Sequence, residues 1–329
     1  MPATPFTENV PIELPSRGEA AALRDRFYNA TVAQRIDVTS GLMIIRVRAD
    51  RKYPVFEAGR YTTIGLGRWE PRVDGVAGDW GVESANDLNR PLIRRAYSIS
   101  CPVLDGRGRL ASVNSLPFVE FYVALVARDS DHPPMLTPRL FALAEGSRLN
   151  LGPHVYGQYT LAGVKPGDDV AFFATGTGEA PHNAMIVDLF ERQQAGRIVS
   201  VVCTRRFPEL GYLAQHRELE RRYPNYRYIP LTTREPHNLD PTLPGFTGKQ
   251  HVQDLVTSGR LERELGYEFE PTRTHVFLCG NPAMLGIPHK APDGQFVFPE
   301  PPGMIEVFTH RGFQSDRDSL PNIHFEKYW

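Results

Sequence analysis

Cysteine is scarce in this 329-residue chain: Cys101, Cys203 and Cys279 are odd in number and far apart. A disulfide framework is a poor fit, and a reducing compartment a good one. The same scarcity excludes a C-x4-C-x2-C segment, so no iron–sulfur cluster and no metal site is expected. Long apolar runs are missing too; none approaches the roughly 20 residues of a membrane-spanning helix. The opening stretch MPATPFTENVPIELPSRGEA has neither a basic start nor an apolar core. No secretory leader is read there, and the expected location is cytoplasmic. An excess of either charge is also lacking, with 37 Lys and Arg against 38 Asp and Glu. No global field directs the chain to nucleic acid or a membrane surface, so any electrostatic partner must meet a local patch.

What is present describes an ordinary globular protein, 41% hydrophobic and 23% charged, long enough for two domains. Residues 1–27 are Pro-rich and weakly patterned, and read as an arm over the surface. From Tyr28 the runs TVAQRIDVT, GLMIIRVRAD and RYTTIGLG are short, β-branched and alternating, as antiparallel strands of a sandwich or barrel are. A long polar stretch, 67–91, interrupts them. AYSIS and VEFYVALVA then resume the strand pattern, and TPRLFALAEG reads as a short helix with Thr137 as its N-cap. Past residue 163, apolar runs alternate with helical periods, among them APHNAMIVDLFERQQ, GYLAQHRELERRY and HVQDLVTSGRLEREL. That alternation predicts a parallel, doubly wound sheet. The expected architecture is an all-β antiparallel barrel domain over 28–162 followed by an α/β domain over 163–329.

Three groups of residues can carry chemistry. In FATGTGEAP a strand gives way to a helix through Gly176 and Gly178, where backbone can approach an anionic ligand; a ligand-free turn explains the glycines as well. Arg205, Arg206 and Arg234 follow apolar strands, and Lys249 is read as beginning a helix. Cations converging at strand ends suit a phosphate dianion, hence NADP rather than NAD, although scattered surface charge has the same appearance. In RRAYSIS, Arg95 and Tyr97 share one strand face and Ser98 takes the other. The chain ends HFEKYW, placing two large rings, Tyr328 and Trp329, where they must find cover.

In order, RAYS, GTGEAP, CGNPAM and EKYW, with EFY, MLTPRL, CTRRFPELGYL, TTRE and FTGK between them, resemble the ferredoxin–NADP(H) reductase family in its short bacterial branch. The resemblance runs from about residue 28 to the end. It implies an FAD-binding barrel and an NADP(H)-binding domain capped by C-terminal aromatics. Arg95, Ala96, Tyr97, Ser98, Tyr122, Met135, Leu136, Thr137 and Thr177 would contact FAD. Tyr328 would lie on the isoalloxazine as a gate to the nicotinamide, and Trp329 would reach on to the adenine. Gly176, Gly178, Thr204, Arg205, Arg234, Lys249, Gly280 and Asn281 would hold NADP(H). Ser98, Cys279, Glu326 and Tyr328 would surround the reacting rings.

The implied activity is hydride exchange between NADP(H) and flavin, with single electrons passing to or from an acidic ferredoxin or flavodoxin. A basic patch of Arg46, Arg48, Arg51 and Lys52, extended by Arg311 and Arg317, is the expected docking site. A reductase component of an oxygenase, or a non-catalytic redox-sensing subunit, would share these motifs. The chain departs from the family at Glu179, usually apolar, and at 285–303, where an extra stretch intervenes before the next helix. The 67–91 loop and the N-terminal arm are also extra.

Overall fold

The computed structural model describes residues 15–76, 91–126, 134–291, 294–315 and 321–327. Among them, the first half contributes six strands: β1 (Ala30–Thr39), β2 (Leu42–Ala49), β3 (Tyr61–Gly67), β4 (Leu92–Ser98), β5 (Val119–Ala124) and β6 (Arg148–Leu151). They pair antiparallel in the order β4-β3-β6-β1-β2-β5. Just past β4, the Ser100 N–H donates to the Glu120 carbonyl at 2.9 Å and joins the two outer strands. The sheet therefore closes on itself, as the alternating runs predict. Val32, Met43, Ile45, Ile64, Leu66 and Phe121 fill the interior.

The arm is not featureless. Residues Arg17–Phe27 form helix α1, which begins with a capping box between Ser16 and Glu19. Its end is pinned to the barrel: Arg24 donates twice to Glu70 at 2.8 Å, and the Tyr28 hydroxyl donates once at 2.8 Å. Of its eleven residues only Ala20 is buried, so the helix shows no apolar periodicity in sequence. Capping and one part-buried ion pair hold it instead.

Helix α2 covers Thr137–Phe141. Thr137 is its first residue rather than its cap, and the Thr137 hydroxyl accepts from the Val126 N–H at 3.1 Å.

The second half is built on five parallel strands, β7 (Asp169–Thr175), β8 (Ile198–Thr204), β9 (Tyr226–Thr232), β10 (Thr274–Gly280) and β13 (Ile323–Lys327), in the order β13-β10-β7-β8-β9. Alternate side chains enter two cores, which is why these strands read as continuous apolar runs. Ala171, Phe173, Val201 and Leu278 pack with residues of α6 (Val252–Thr257) and α9 (Met304–His310). Val170, Phe172 and Val202 pack with α3 (Glu179–Glu191) and with Ile44, Cys101 and Tyr122 of the barrel. One apolar core is thus shared by both halves and fixes how the barrel meets the sheet.

Helix α4 spans Leu213–Arg222, and α5 is the short turn Pro236–Leu239. The helix expected over 251–265 is two, α6 and α7 (Arg260–Leu265), separated at Gly259, whose φ of +65° ends a right-handed helix. After α8 (Pro282–Leu285), the extra stretch carries a two-residue hairpin, β11 (His289–Lys290) with β12 (Phe296–Val297). Its ends meet at Gly286 and Gly303, where a Cβ added to Gly303 would lie 2.3 Å from the Gly286 Cα.

Candidate functional site

Chain order along the parallel sheet reverses between β7 and β10, and ligands of open α/β sheets sit outside the carboxyl ends of strands at such a point. Here β7 runs into the 3-10 turn Gly176–Gly178, and β10 ends at Cys279 and Gly280. The two loops are in backbone contact. A Cβ on Gly178 would sit 2.2 Å from the Cys279 carbonyl oxygen, so no other residue fits without moving β10. Gly280, at φ +133°, would place its Cβ 2.2 Å from the Thr175 hydroxyl. That hydroxyl accepts from the Asn281 N–H at 2.7 Å, and the Asn281 side chain accepts from the Ala283 N–H at 2.8 Å. On the outer side, by contrast, a Cβ on Gly176 would meet nothing within 4 Å. Thr177 beside it is half-buried. The turn is a rigid floor with open space above it, which fits a flat ring or a phosphate brought against backbone.

Strand β13 lies beside β10 in a register that pairs Cys279 with Glu326 and Gly280 with Lys327. From the barrel, the Ser98 hydroxyl donates to Glu326 Oε2 at 3.0 Å. Burial pushes the Glu326 carboxyl up to about 7, with the Ser98 hydrogen bond acting the other way. Cys279 is buried and in no disulfide. Three of the four candidate catalytic residues, drawn from both halves of the sequence, are thus brought together where barrel and sheet meet. The fourth, Tyr328, lies outside the described residues, as do Trp329 and Arg317.

Arg95 and Ala96 are exposed on β4. Tyr97 is half-buried, its ring edge-on to Phe121 at 6.3 Å, and burial raises its phenol well above the usual range. The remaining candidate FAD contacts stand apart from this group. Leu136 and Met135 pack in or against the barrel core. Tyr122 turns to the other core, where its hydroxyl donates to the Glu209 carbonyl at 2.8 Å and accepts from the Gly211 N–H at 3.2 Å. It ties the barrel to the second domain.

The cations collect on the loops that follow β8 and β9. Arg234 N–H donates to the Arg205 carbonyl at 2.7 Å, and Thr233 N–H to the Thr204 carbonyl at 3.1 Å, so the two loops run side by side. Asn238 donates to the Gly248 carbonyl at 3.1 Å and draws the Lys249 loop to the same place. Lys249 itself precedes α6 rather than beginning it. Arg205, Arg234 and Lys249 are all exposed. Arg205 already pairs with Glu209 at 3.0 Å. Thr204 is buried and donates to the Arg206 carbonyl at 3.0 Å, shaping the loop.

Two expectations change. Arg46 and Arg311 are not free basic surface. Arg46 donates to buried Glu120 at 2.7 Å, and Arg311 pairs with Glu262 and donates to the Val256 carbonyl. Arg48, Arg51 and Lys52 remain exposed. Glu179 is 1% exposed and points away from the crevice into the domain, where the Tyr228 hydroxyl donates to it at 2.9 Å and His216 Nε2 lies at 3.2 Å. It opens a buried polar cluster, with Asn183, His216, Ser100, Tyr212 and Glu120, that sequence reasoning missed. Its only signal was a charged residue inside otherwise apolar runs, as in GTGEAP and VEFYVA.

A model of the oxidoreductase NAD-binding domain family matches residues 172–290. The flavodoxin/ferredoxin–NADP reductase of Escherichia coli K12 is 29% identical over 234 residues, covering 70% of this chain and 76% of that protein. The reductase component of phenol 2-monooxygenase from Pseudomonas sp. CF600 is 27% identical over 259 residues, 78% of this chain and 59% of that protein. In structure, a ferredoxin NADP+ reductase from Neisseria gonorrhoeae, solved with bound FAD and NADP, superposes with a TM-score of 0.65. It does so at 18% identity, over 92% of this chain and 98% of that one. The resemblance carried by the motifs therefore extends to most of the sequence and to the fold: the chain is similar to ferredoxin–NADP(H) reductases over both halves. Among the described residues no helix is long and apolar enough to cross a membrane.

Proposed function

We propose that this chain is an FAD-dependent NADP(H) oxidoreductase that exchanges single electrons with a ferredoxin or flavodoxin. The observation that carries this reading is the meeting of Ser98 from the barrel with Glu326 from β13, directly beside Cys279 and the Gly176–Gly178 turn. FAD held there would take a hydride from NADPH and return its electrons one at a time.

The chain's own residues supply position and charge. Arg95, exposed on β4, would face a pyrophosphate, and Tyr97 would offer its ring edge to the flavin. Ser98 and Glu326 form a donor–acceptor pair beside the reacting atoms, and Glu326, with its acidity near neutral, can hold or release a proton there. Gly176, Thr177 and Gly178 would let a nicotinamide approach backbone beside Cys279, with Gly280 and Asn281 fixing the adjoining turn. Arg234 and Lys249, with Arg205 once freed from Glu209, would take the 2′-phosphate. Lys327 is paired with Gly280. Tyr328 and Trp329, next in sequence, would supply the flavin-covering gate.

A reductase component for an oxygenase would use the same residues and differ in its acceptor; the likeness to the phenol monooxygenase component makes that the second reading. The test is the visible spectrum of the purified protein before and after anaerobic NADPH. A flavin spectrum that bleaches with NADPH, and slowly or not at all with NADH, is expected. A colourless protein that FAD cannot reconstitute would overturn the reading in favour of a binding subunit.

A further inference from the structure

The buried polar cluster begins one residue after Gly178 and ends on the far side of the domain boundary. Glu179 and Asn183 lie one turn apart on α3. His216 of α4 approaches both, with Nε2 at 3.2 Å from Glu179 Oε1 and 3.0 Å from Asn183 Oδ1. Since both are acceptors, that nitrogen carries a hydrogen, and Nδ1 shares a hydrogen bond with the Tyr226 hydroxyl at 2.8 Å. The other end of the Asn183 amide crosses to the barrel: Nδ2 donates to the Ser100 hydroxyl at 3.3 Å. Ser100 donates back to the Tyr212 hydroxyl at 3.2 Å, and Tyr212 donates to Glu120 Oε1 at 2.9 Å. Arg46 closes the chain on the remaining Glu120 oxygen at 2.7 Å. Glu120, Ser100, Tyr212, Asn183, His216 and Glu179 are each at most 1% exposed.

Donors along the barrel side run one way, from Asn183 through Ser100 and Tyr212 to the Glu120 carboxylate. A chain so directed is mutually reinforcing, and each link is costly to leave unmade once buried. It crosses the boundary three times, at Asn183–Ser100, Ser100–Tyr212 and Tyr212–Glu120. The crossings stand beside the groups that must face each other. Ser100 is two residues from Ser98, which holds Glu326, and Asn183 is five from Gly178, which abuts Cys279. The apolar contacts of the shared core are non-directional, whereas each buried hydrogen bond adds a distance and an angle of its own.

We propose that Ser100, Tyr212 and Asn183 are positioning residues: their hydrogen-bonded bridge, anchored by Glu120, sets the distance between the Ser98–Glu326 pair and the Gly178–Cys279 crevice. The inference rests on the function proposed above and adds a specific device to it. It also gives the unusual Glu179 a part, since that carboxylate holds His216, and His216 holds the Asn183 amide in the orientation that reaches Ser100.

The test compares two isosteric substitutions in the full-length, FAD-loaded protein. Tyr212→Phe deletes the hydroxyl at the crossing. Tyr28→Phe deletes a matched one inside the barrel, where Tyr28 also donates to a buried carboxylate, Glu70, at 2.8 Å. Both should lower thermal stability. Only Tyr212→Phe should slow anaerobic hydride transfer from NADPH, by about tenfold with KM changed less than about twofold, because misplacement acts on reaction geometry rather than on binding. A second readout needs no turnover: amide hydrogen exchange of the flavin-free protein should quicken at 98–101 and 179–183 in Tyr212→Phe and not in Tyr28→Phe. Should Tyr212→Phe fail to fold, Ser100→Ala breaks the same bridge and should give the same pattern. Equal rates and equal exchange in the two variants would overturn the bridge while leaving the function standing. A wild-type protein that binds no flavin would overturn both.

Discussion

The crevice between β7 and β10 and the cationic rim beyond β8 and β9 sit at the same edge of one sheet, yet they are made of different things. The crevice is backbone on backbone, with glycines whose missing Cβ atoms leave room for the opposite loop. The rim is long exposed side chains on loops held together by a few main-chain hydrogen bonds. Where a hydride must move, tenths of an ångström count, and a surface without side chains cannot rearrange. Where a phosphate must be recognised, charge and reach count, and flexible cations suffice. On the proposed function, the difference teaches that chemistry and coenzyme choice would be separable in this molecule, and substitutions can test the separation.

The largest effect is expected at the crevice floor. Gly280→Ala combines a strained φ with a collision at Thr175 and should cost about 3 kcal/mol of stability, by strain and overpacking together. Thermal denaturation measures it, and NADPH oxidation should be lost alongside. An unperturbed melting temperature would refute the interlock.

Ser98→Ala should follow, slowing hydride transfer about 100-fold with little change in the KM for NADPH. The Ser98 hydrogen bond holds the Glu326 acidity down against burial, so its loss should move the pH midpoint of the reaction upward from about 7. A parallel sign follows for stability. The folded acidity, about 7, lies above the ordinary 4.5. Between those values the folded protein keeps a proton that the unfolded chain has released, so this group's contribution falls as pH rises through the window and levels off above it. Glu326→Gln should remove that slope in urea titrations.

At the rim, Arg234→Ala should raise the KM for NADPH about tenfold and leave kcat and NADH use unchanged. Arg205→Ala should do less, about threefold, because Arg205 is already held by Glu209. Equal effects on NADPH and NADH would remove the 2′-phosphate assignment.

Deleting Tyr328 and Trp329 should raise the use of NADH by roughly threefold to tenfold, the worth of one aromatic stack. An unchanged coenzyme preference would count against the gate. Smallest of all, raising salt from about 50 to 300 mM should slow carrier reduction by about threefold through Arg48, Arg51 and Lys52 and spare the NADPH half-reaction. A carrier step indifferent to salt would dismiss that patch.

Much of this was legible in the sequence because the motifs sit at strand ends, where a short word fixes a place. Ser98, Cys279 and Glu326 could be named from RAYS, CGNP and EKYW, and the alternating runs gave both halves of the fold. Helix α1 escaped because it buries one alanine and relies on its cap and on Glu70, 46 residues from Arg24. The break between α6 and α7 escaped because the apolar spacing continues across Gly259. Tyr122 could not be oriented because both faces of β5 are buried, so alternation carries no sign of which way is in. The polar bridge escaped for a deeper reason: its members are strewn from Arg46 to Tyr228, and only the closed barrel packed on the sheet makes them neighbours.

Gly286 and Gly303 touch, so residues 287–302 leave and rejoin the sheet domain at a single point. A segment with coincident ends can be lengthened at little cost in loop-closure entropy, so long as Ile287 and Phe298 keep their packing against the core of the sheet domain. Between those two contacts its sequence can drift or acquire a recognition surface while the crevice stays still. In evolutionary terms it is a free parameter attached to a fixed engine, and related chains with other partners should differ there before they differ anywhere in the crevice.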